Sequence, residues 1–298
     1  MGKWKKTNSR ITPRNTQEKA FRKYPARNLH RFVTAREGDG FSSHILPIRE
    51  AKVWILRMKQ VHIILQGKGG VGKSFVASLL KQHFSDRSIP ARGVDTDPVN
   101  ATFASYKAFD VERLEIMQGD NIDPRAFDNL IEWIVTSDED SVFIVDNGAA
   151  TFVPLCAYLF ENSVVSFLQE QGCQVILHTL LTGGQALDDT TNGIVSLFEH
   201  FPNVPVCIWI NEFFGTPEKN GKSFEQLSLY KNNADRIHGL VRLPELRKET
   251  FGQDIKQMME NKLTFDEAVE RPDFNIMAKQ RLKMTWRDIN NQLTNLQF

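Results

Sequence analysis

Short apolar runs alternate with longer amphipathic stretches along the chain from Val61 onward. The apolar runs predict buried strands at 61–66, 90–95, 113–118, 142–146, 173–181, 204–211 and 237–243. Helices are predicted between and after them, at roughly 73–85, 98–107, 124–136, 151–161, 183–200, 223–232, 245–261 and 273–295. Continuous apolar strands separated by helices are typical of a parallel sheet covered on both faces. The pattern therefore predicts an α/β fold with a mainly parallel, doubly wound sheet and a C-terminal helical segment.

The last predicted helix carries an apolar stripe formed by Leu282, Ile289, Leu293 and Leu296. Such a stripe predicts docking on the core, and the alternatives are a membrane surface or a partner helix. No apolar run approaches the roughly 18 residues that span a bilayer. The first residues also lack the apolar segment of a secretory signal. The sequence therefore predicts a protein that is not integral to a membrane.

Charge divides the chain near residue 57, although the formal net charge is only +1. Residues 1–57 hold 14 Lys and Arg against 4 Asp and Glu, without sustained apolar periodicity. We expect a basic, disordered or loosely ordered extension over 1–57 and one folded domain over 58–298. Three interpretations of the extension stay open: a basic arm for nucleic acid or acidic lipid, an inert tail, or a segment upstream of a native start at Met58.

Composition narrows the class of protein without identifying it. With 41% hydrophobic and 24% charged residues, the chain fits a soluble globular protein. Its three cysteines, Cys156, Cys173 and Cys207, are odd in number and widely spaced. That usage fits neither a disulfide framework nor a CxxC metal site, and it favours a reduced cytosolic compartment.

A glycine-rich segment after the first predicted strand is the most specific chemical signal. The stretch "GKGGVGKS" at 67–74 fits the phosphate-loop pattern and lies between a strand and a helix. Its glycines let backbone N–H groups point at an anion, and the following helix adds its positive end. Lys73 is expected to neutralise β- and γ-phosphate oxygens, and Ser74 to ligate Mg²⁺. We therefore predict nucleotide binding by Gly69, Gly70, Val71, Gly72, Lys73, Ser74 and Phe75.

Three aspartates at predicted strand ends suit the metal that accompanies a bound nucleotide. Asp95 and Asp97 follow the second strand, and Asp146 ends the apolar strand "VFIVD" in a Walker B arrangement. Carboxylates at these positions can support Mg²⁺ beside the phosphate loop. Gly148 can bring a backbone N–H to the γ-phosphate as part of a nucleotide-sensing switch, or it is a simple loop glycine.

The phosphate loop contains a second lysine, Lys68, and this feature resembles the deviant Walker A motif of the MinD/ParA family of ATPases. "DTDP" at 95–98 resembles the first switch of that family, and "FIVDN" at 143–147 resembles its Walker B motif and second switch. The resemblance implies ATP and Mg²⁺ as cofactors and an ATP-dependent homodimer. It implies that Lys68 acts in trans on the partner's nucleotide and Lys73 in cis. Asp97 would position the attacking water, and Asp95 and Asp146 would support the metal.

Two later positions match places where this family contacts adenine. Asn211 ends the predicted strand "VCIWIN", and Pro244 lies in "VRLPELRKETFG", which resembles the family's proline loop. The resemblance implies that both line the base-binding pocket. The alternative is that each is an ordinary turn former at a strand end.

Further segments resemble a family of plasmid conjugal-transfer proteins from about Met58 to the C-terminus. These segments are "QGKGGVGKSFVASLL", "DTDPVNATF", "DNGA", "FVPL", "TGGQAL", "GKSFEQ", "LTFDEA" and "KQRLK". The resemblance implies a bacterial ATPase with weak, dimer-coupled hydrolysis, in the cytoplasm or at the inner-membrane face. It also implies that the protein is accessory to DNA transfer and has an unidentified partner in the conjugation machinery.

The sequence departs from related ATPases at several positions. Val99 stands where partition ATPases usually have Gln, and Asn-Gly-Ala follows Walker B where they usually have prolines. The spacing of Cys156 after Asp146 does not resemble iron–sulfur ligation.

Two other functions remain open on the sequence. A partitioning or positioning ATPase could contact DNA or a membrane through Arg236, Arg242, Arg247, Lys248 and the basic segment 278–283, or these residues form a solvated face. A small-molecule kinase or synthetase could use the same fold, although no acceptor-site motif supports it.

Overall fold

The computed structural model describes residues 58–138 and 141–298, and the predicted basic extension lies outside these ranges. Within them, seven parallel strands form one sheet in the order β3-β2-β6-β1-β7-β8-β9, and β4 and β5 form a separate antiparallel pair. The strand bounds are β1 Lys59–Ile64, β2 Ala91–Asp95, β3 Val111–Arg113, β4 Met117–Gln118, β5 Asn121–Ile122, β6 Val142–Asp146, β7 Cys173–Thr182, β8 Val206–Asn211 and β9 Ile237–Leu243. The predicted parallel α/β sheet is confirmed.

Helices cover both faces of this sheet. Their bounds are α1 Lys73–Asp86, α2 Ala126–Thr136, α3 Phe152–Glu161, α4 Val164–Glu170, α5 Leu187–His200, α6 Ser228–Lys231, α7 Gln253–Glu260, α8 Phe265–Glu270 and α9 Ile276–Leu296. Apolar residues of α2, α3, α4 and α5 pack on one face, and those of α1, α7, α8 and α9 pack on the other. The central strands are therefore buried on both sides, which explains their continuous apolar sequences.

The predicted helix over 98–107 is wrong, because this segment consists of turns. Two side-chain carboxylates accept hydrogen bonds from the backbone N–H groups of this segment. Asp97 Oδ1 accepts the N–H groups of Val99 and Asn100, and Asp95 Oδ2 accepts that of Ala104. Local side chain–backbone bonds of this kind compete with helical bonds. Sequence patterning also missed the short helix α4.

The apolar stripe of α9 docks on the core, as predicted. Leu282, Ile289 and Leu293 are buried, and Leu296 lies so close to Gly239 on β9 that a Cβ there would meet its Cδ2 at 2.1 Å. Among the described residues, no single helix has the length and apolarity to cross a bilayer; α3 and α4, bent by 58°, meet that test only as a pair, by length and composition.

A chain of buried polar rings crosses the sheet on the side of α1. Trp209 Nε1 donates to His178 Nδ1 at 3.0 Å. The opposite nitrogen of His178 therefore carries the proton and donates to His62 Nδ1 at 2.8 Å, and His62 Nε2 donates to Gln60 at 3.2 Å. Both imidazoles are fully buried and neutral in this arrangement. Burial, and secondarily the charges of His238 and His83, lower the pKa of His62 to about 3.

Acid should destabilise the fold through these histidines. The pKa of His62 is about 3 when folded against 6.5 ordinarily, so below pH 6.5 the unfolded chain binds more protons. The free energy of unfolding should therefore fall as pH falls, by up to about 1.4 kcal/mol per pH unit for each such histidine. Urea unfolding from pH 7.5 to 4.5 measures this slope. His62→Gln, which can accept and donate without charging, should flatten it, and identical slopes would contradict the assignment.

Candidate nucleotide-binding site

The phosphate loop connects β1 to α1 at the carboxyl edge of the sheet. Gly70 and Gly72 have φ angles of 74° and 104°, a left-handed backbone that favours glycine. Gly67 is favoured for a different reason, because a Cβ there would lie 3.0 Å from the ring of Phe152 on α3, and the ring would have to shift. The sequence therefore places glycine where the loop must turn and where a helix packs against it.

The two lysines of the loop have different surroundings. Lys73 is 8% exposed, and its Nζ donates to the carbonyl oxygen of Lys68 at 2.9 Å. Burial lowers the pKa of Lys73, and the charges of Asp146 and Asp97 oppose that shift. Lys68 Nζ instead lies 2.7 Å from Asp189 Oδ2, in a half-exposed ion pair with the first turn of α5. Lys73 thus lies within the loop, while Lys68 is at the surface.

Asp146 is the carboxylate best placed for a metal. It is 1% exposed, and its Oδ1 atom has no hydrogen-bond partner among the described residues. Burial raises the pKa of Asp146 to about 7, and a hydrogen bond with the Ser74 side chain opposes the rise. A buried carboxylate oxygen without a partner, beside a hydroxyl, fits the hard oxygen ligands that Mg²⁺ takes. Ser74 and Asp146 therefore suit the predicted metal.

The described residues contain no group of three or more His, Cys, Asp and Glu side chains that could hold a metal by themselves. A phosphate-loop metal does not need such a group, because nucleotide oxygens and waters complete its shell.

Asp95 and Asp97 lie beside this pair but are already engaged with backbone. Asp95 accepts the N–H of Asp97 at 3.0 Å and that of Ala104 at 2.9 Å, so both of its oxygens are used. Asp97 Oδ1 caps the turn at Val99 and Asn100. The arrangement suits a structural role for Asp95 in holding the segment 96–104. The second oxygen of Asp97 stays available to orient a water.

A buried network that sequence reasoning missed joins residues 95–98 to residues 146–151, the two segments predicted to act as switches. The Thr96 hydroxyl lies 3.1 Å from the carbonyl of Asp146 and 3.2 Å from Asn147 Oδ1. The Thr151 hydroxyl donates back to the carbonyl of Thr96 at 3.2 Å. Thr96 lies between Asp95 and Asp97 in the sequence, and that position could have identified it as a candidate site residue. These bonds tie residues 95–98 to residues 146–151.

Gly148 contacts the first switch directly. A Cβ at this position would lie 2.6 Å from Cγ of Asp97 and 3.0 Å from its Cα. Real Cβ atoms do not approach so closely, so the backbone of the second switch has room for Asp97 only because residue 148 is glycine.

An apolar pocket opens beside the phosphate loop. Its lining includes Val71, Phe75, Leu243 and both predicted base contacts, Asn211 and Pro244. Asn211 is oriented by the protein itself, because its Nδ2 donates to the carbonyl of Val71 at 2.9 Å and its Oδ1 accepts from Phe213 at 3.1 Å. Its amide therefore fastens the phosphate loop to β8.

Sequence reasoning missed two aromatic residues at the mouth of this pocket. Phe213 and Phe214 are 51% and 48% exposed, with their rings 5.0 Å apart. They directly follow Asn211 and Glu212 in the sequence. Two aromatic residues so close to a predicted base contact could have been predicted to contact the base as well. Exposed aromatic faces are suited to stacking on a planar base.

A parallel sheet with a glycine-rich loop between β1 and α1, and an acidic Walker B strand beside β1, defines a protein of the P-loop NTPase fold. Comparison with known proteins identifies the family more closely. "Protein TraL" of Escherichia coli is 45% identical over 237 residues, covering 79% of this chain and 98% of that protein. A second Escherichia coli TraL is 44% identical over 239 residues, covering 80% and 98%. The chain belongs to the TraL family.

Solved structures show more distant similarity, and no protein-family model matches the chain. The MinD cell division protein of Aquifex aeolicus, in its complex with MinC, gives a TM-score of 0.43 at 15% identity, covering 76% of this chain and 94% of that one. A plasmid partition protein from Borrelia burgdorferi gives 0.39 at 14% identity, covering 69% and 96%. Similarity at this level supports no statement about activity or partners.

Proposed function

We propose that this TraL-family protein binds and hydrolyses ATP as a homodimer and acts as a switch accessory to conjugative plasmid transfer. The observation that carries the proposal is the convergence of Lys73, Ser74 and Asp146 at the phosphate loop, with Lys68 beside them at the surface. Membership of the TraL family supports the association with conjugation.

Each loop residue has a distinct task in this proposal. When ATP binds, the Lys73 ammonium leaves the carbonyl oxygen of Lys68 and binds phosphate oxygens, whose negative charge neutralises it better. Ser74 and Asp146 would hold Mg²⁺, which when bound supplies positive charge to the phosphates. Asp97 orients the attacking water, and Phe213, Phe214 and Pro244 enclose the base.

The half-exposed position of Lys68 supports the proposed homodimer. Its half-exposed pair with Asp189 is of the kind usually worth less than about 1 kcal/mol. Lys68 can therefore leave Asp189 at small cost when a second copy presents a nucleotide. Positive charge that arrives only on dimerisation would couple hydrolysis to assembly.

The DNA-coating alternative has weaker support from the basic residues first considered for it. Arg236 donates to the carbonyls of Phe198 and Phe201 at 2.9 and 2.8 Å. Arg242 pairs with Glu212 and Glu225, and Arg281 pairs with Asp254. These three guanidinium groups are thus occupied within the protein, while Arg247, Lys248 and Lys283 are exposed.

Lys73→Ala should weaken ATP binding roughly 10- to 100-fold, because charge-assisted hydrogen bonds to phosphate contribute about 1.5–3 kcal/mol. Titration calorimetry with Mg²⁺ and ATP measures the affinity. Lys81→Ala is a matched control, since Lys81 lies on the same helix and also donates to a backbone carbonyl, that of Ala91. Equal affinity of the Lys73 variant and the wild type would refute the site.

The conjugation part of the proposal needs a cellular test. Deleting the gene should lower the frequency of plasmid transfer between cells while leaving plasmid inheritance through division unchanged. Complementation by the wild type, but not by Lys73→Ala, would link transfer to the nucleotide site. Loss of inheritance with normal transfer would favour a partitioning function instead.

A further inference from the structure

The walls of the apolar pocket belong to two loops that leave the sheet together. The last register pair between β8 and β9 joins Asn211 to Leu243. Beyond it, one loop carries Phe213 and Phe214, and the other carries Pro244. Backbone pairing in the sheet therefore ends where the pocket begins, and the separation of the walls must be set by other contacts.

Side chains supply those contacts. Glu212 Oε1 lies 3.3 Å from Nη1 of Arg242, and Glu212 Oε2 accepts the backbone N–H of Glu245 at 3.4 Å. In the sequence, Glu212 lies between the pocket residues Asn211 and Phe213. Its two contacts, with Arg242 and Glu245, are with residues before and after Pro244. Its side chain is 18% exposed, so the pair is partly shielded from solvent.

Arg242 is itself held from two directions. Its Nη2 pairs with Glu225, which follows the buried Phe224. Burial raises the pKa of Glu225, but a backbone hydrogen bond and the charge of Arg242 bring it below its ordinary value. On the other side, Gln292 of α9 accepts from the N–H of Arg242 at 2.8 Å and donates to its carbonyl at 3.1 Å. Helix α9 therefore holds the backbone of Arg242 on the edge strand β9, while Glu212 and Glu225 hold its half-exposed guanidinium.

We propose that Arg242, acting through Glu212, is a positioning residue that sets the width of the base-binding pocket. The inference rests on the proposed nucleotide function. The Asn211 amide already bonds to Val71 and Phe213, so the fit of the base depends on the spacing of the apolar walls. Without Arg242 the two loops separate, and contacts with the base are lost while the phosphate loop is unchanged.

Two ligands separate a pocket effect from a general one. ATP needs the base pocket and the phosphate loop, whereas inorganic tripolyphosphate needs only the loop. In calorimetry with Mg²⁺ on the full chain, Arg242→Gln should bind ATP about tenfold more weakly than the wild type and tripolyphosphate within about twofold of it. A purely structural role would lower both affinities together and would leave their ratio unchanged.

Arg92→Gln is the matched control, because Arg92 also lies on a strand, is 43% exposed and pairs with a strand glutamate, Glu112. It should alter neither affinity. Glu212→Ala leaves the Arg242–Glu225 pair in place and removes the link between the loops, so it should reproduce the selective loss of ATP affinity. If circular dichroism shows that Arg242→Gln does not fold, the Glu212→Ala variant tests the positioning role instead.

The outcomes distinguish this inference from the proposed function. Wild-type protein that binds neither ligand would refute both. Wild-type protein that binds ATP, with Arg242→Gln and Glu212→Ala binding it equally well, would refute only the positioning role. An equal loss of ATP and tripolyphosphate affinity in the folded variants would also overturn it.

Discussion

Lys68→Ala is expected to bind ATP as tightly as the wild type but to hydrolyse it roughly 1,000-fold more slowly at high protein concentration. An arginine finger supplied in cis or in trans accelerates phosphoryl transfer by about 10³- to 10⁵-fold, and Lys68 would supply the same positive charge. Lys68 is suited to that task because its amine is at the surface, 2.7 Å from Asp189, while Lys73 occupies the interior of the loop. Two measurements test this: the specific ATPase rate as a function of protein concentration, and the equilibrium affinity for ATP.

Lys219→Ala provides a close control for this variant. Lys219 Nζ pairs with Asp188 at 3.1 Å, next to Asp189 on the same helix, and is similarly exposed. Its removal should leave both the affinity and the concentration dependence unchanged. If the Lys68 variant still shows a specific rate that rises with concentration as the wild type does, the trans role is wrong. If it loses ATP affinity instead, Lys68 acts within its own subunit.

The parts of the molecule that the sequence could predict are those fixed by local pattern. The buried strand Val142–Asp146 is apolar up to its final aspartate, and its predicted bounds are the observed ones. Gly70 and Gly72 of the phosphate loop occur where the backbone is left-handed. In both cases the residue type is required by the immediate backbone or by burial on both faces of the sheet.

The remaining features depend on contacts that no local pattern encodes. The segment after Asp97 looks helical, yet Asp95 and Asp97 accept its N–H groups and hold it in turns. The pairing of Arg242 with Glu212 depends on β8 and β9 being neighbours, which is a property of strand order. Charged residues reveal their partners only once the topology is known.

Gly148→Ala should abolish most hydrolysis while preserving ATP binding. The added methyl would lie 2.6 Å from Cγ and 2.9 Å from Oδ1 of Asp97, so the carboxylate must move. Positioning of a reacting water tolerates little error, since a displacement of about 1 Å can cost roughly 100-fold in rate. We expect a fall of about that size in single-turnover hydrolysis, with affinity for ATP within about twofold of the wild type.

A double-mutant cycle with Asp97→Ala shows whether the methyl acts through Asp97. If it does, Gly148→Ala will slow the wild type but will have little further effect when Asp97 is already alanine, because the two changes remove the same interaction. Additive losses would mean that Gly148 acts independently, for example through its own N–H toward the γ-phosphate. Because Thr96 and Thr151 also join the two switch segments, Thr96→Val should weaken the coupling between them without adding a methyl beside Asp97. A Thr96 variant with full activity would show that the Thr96 hydroxyl is not needed to align the two segments.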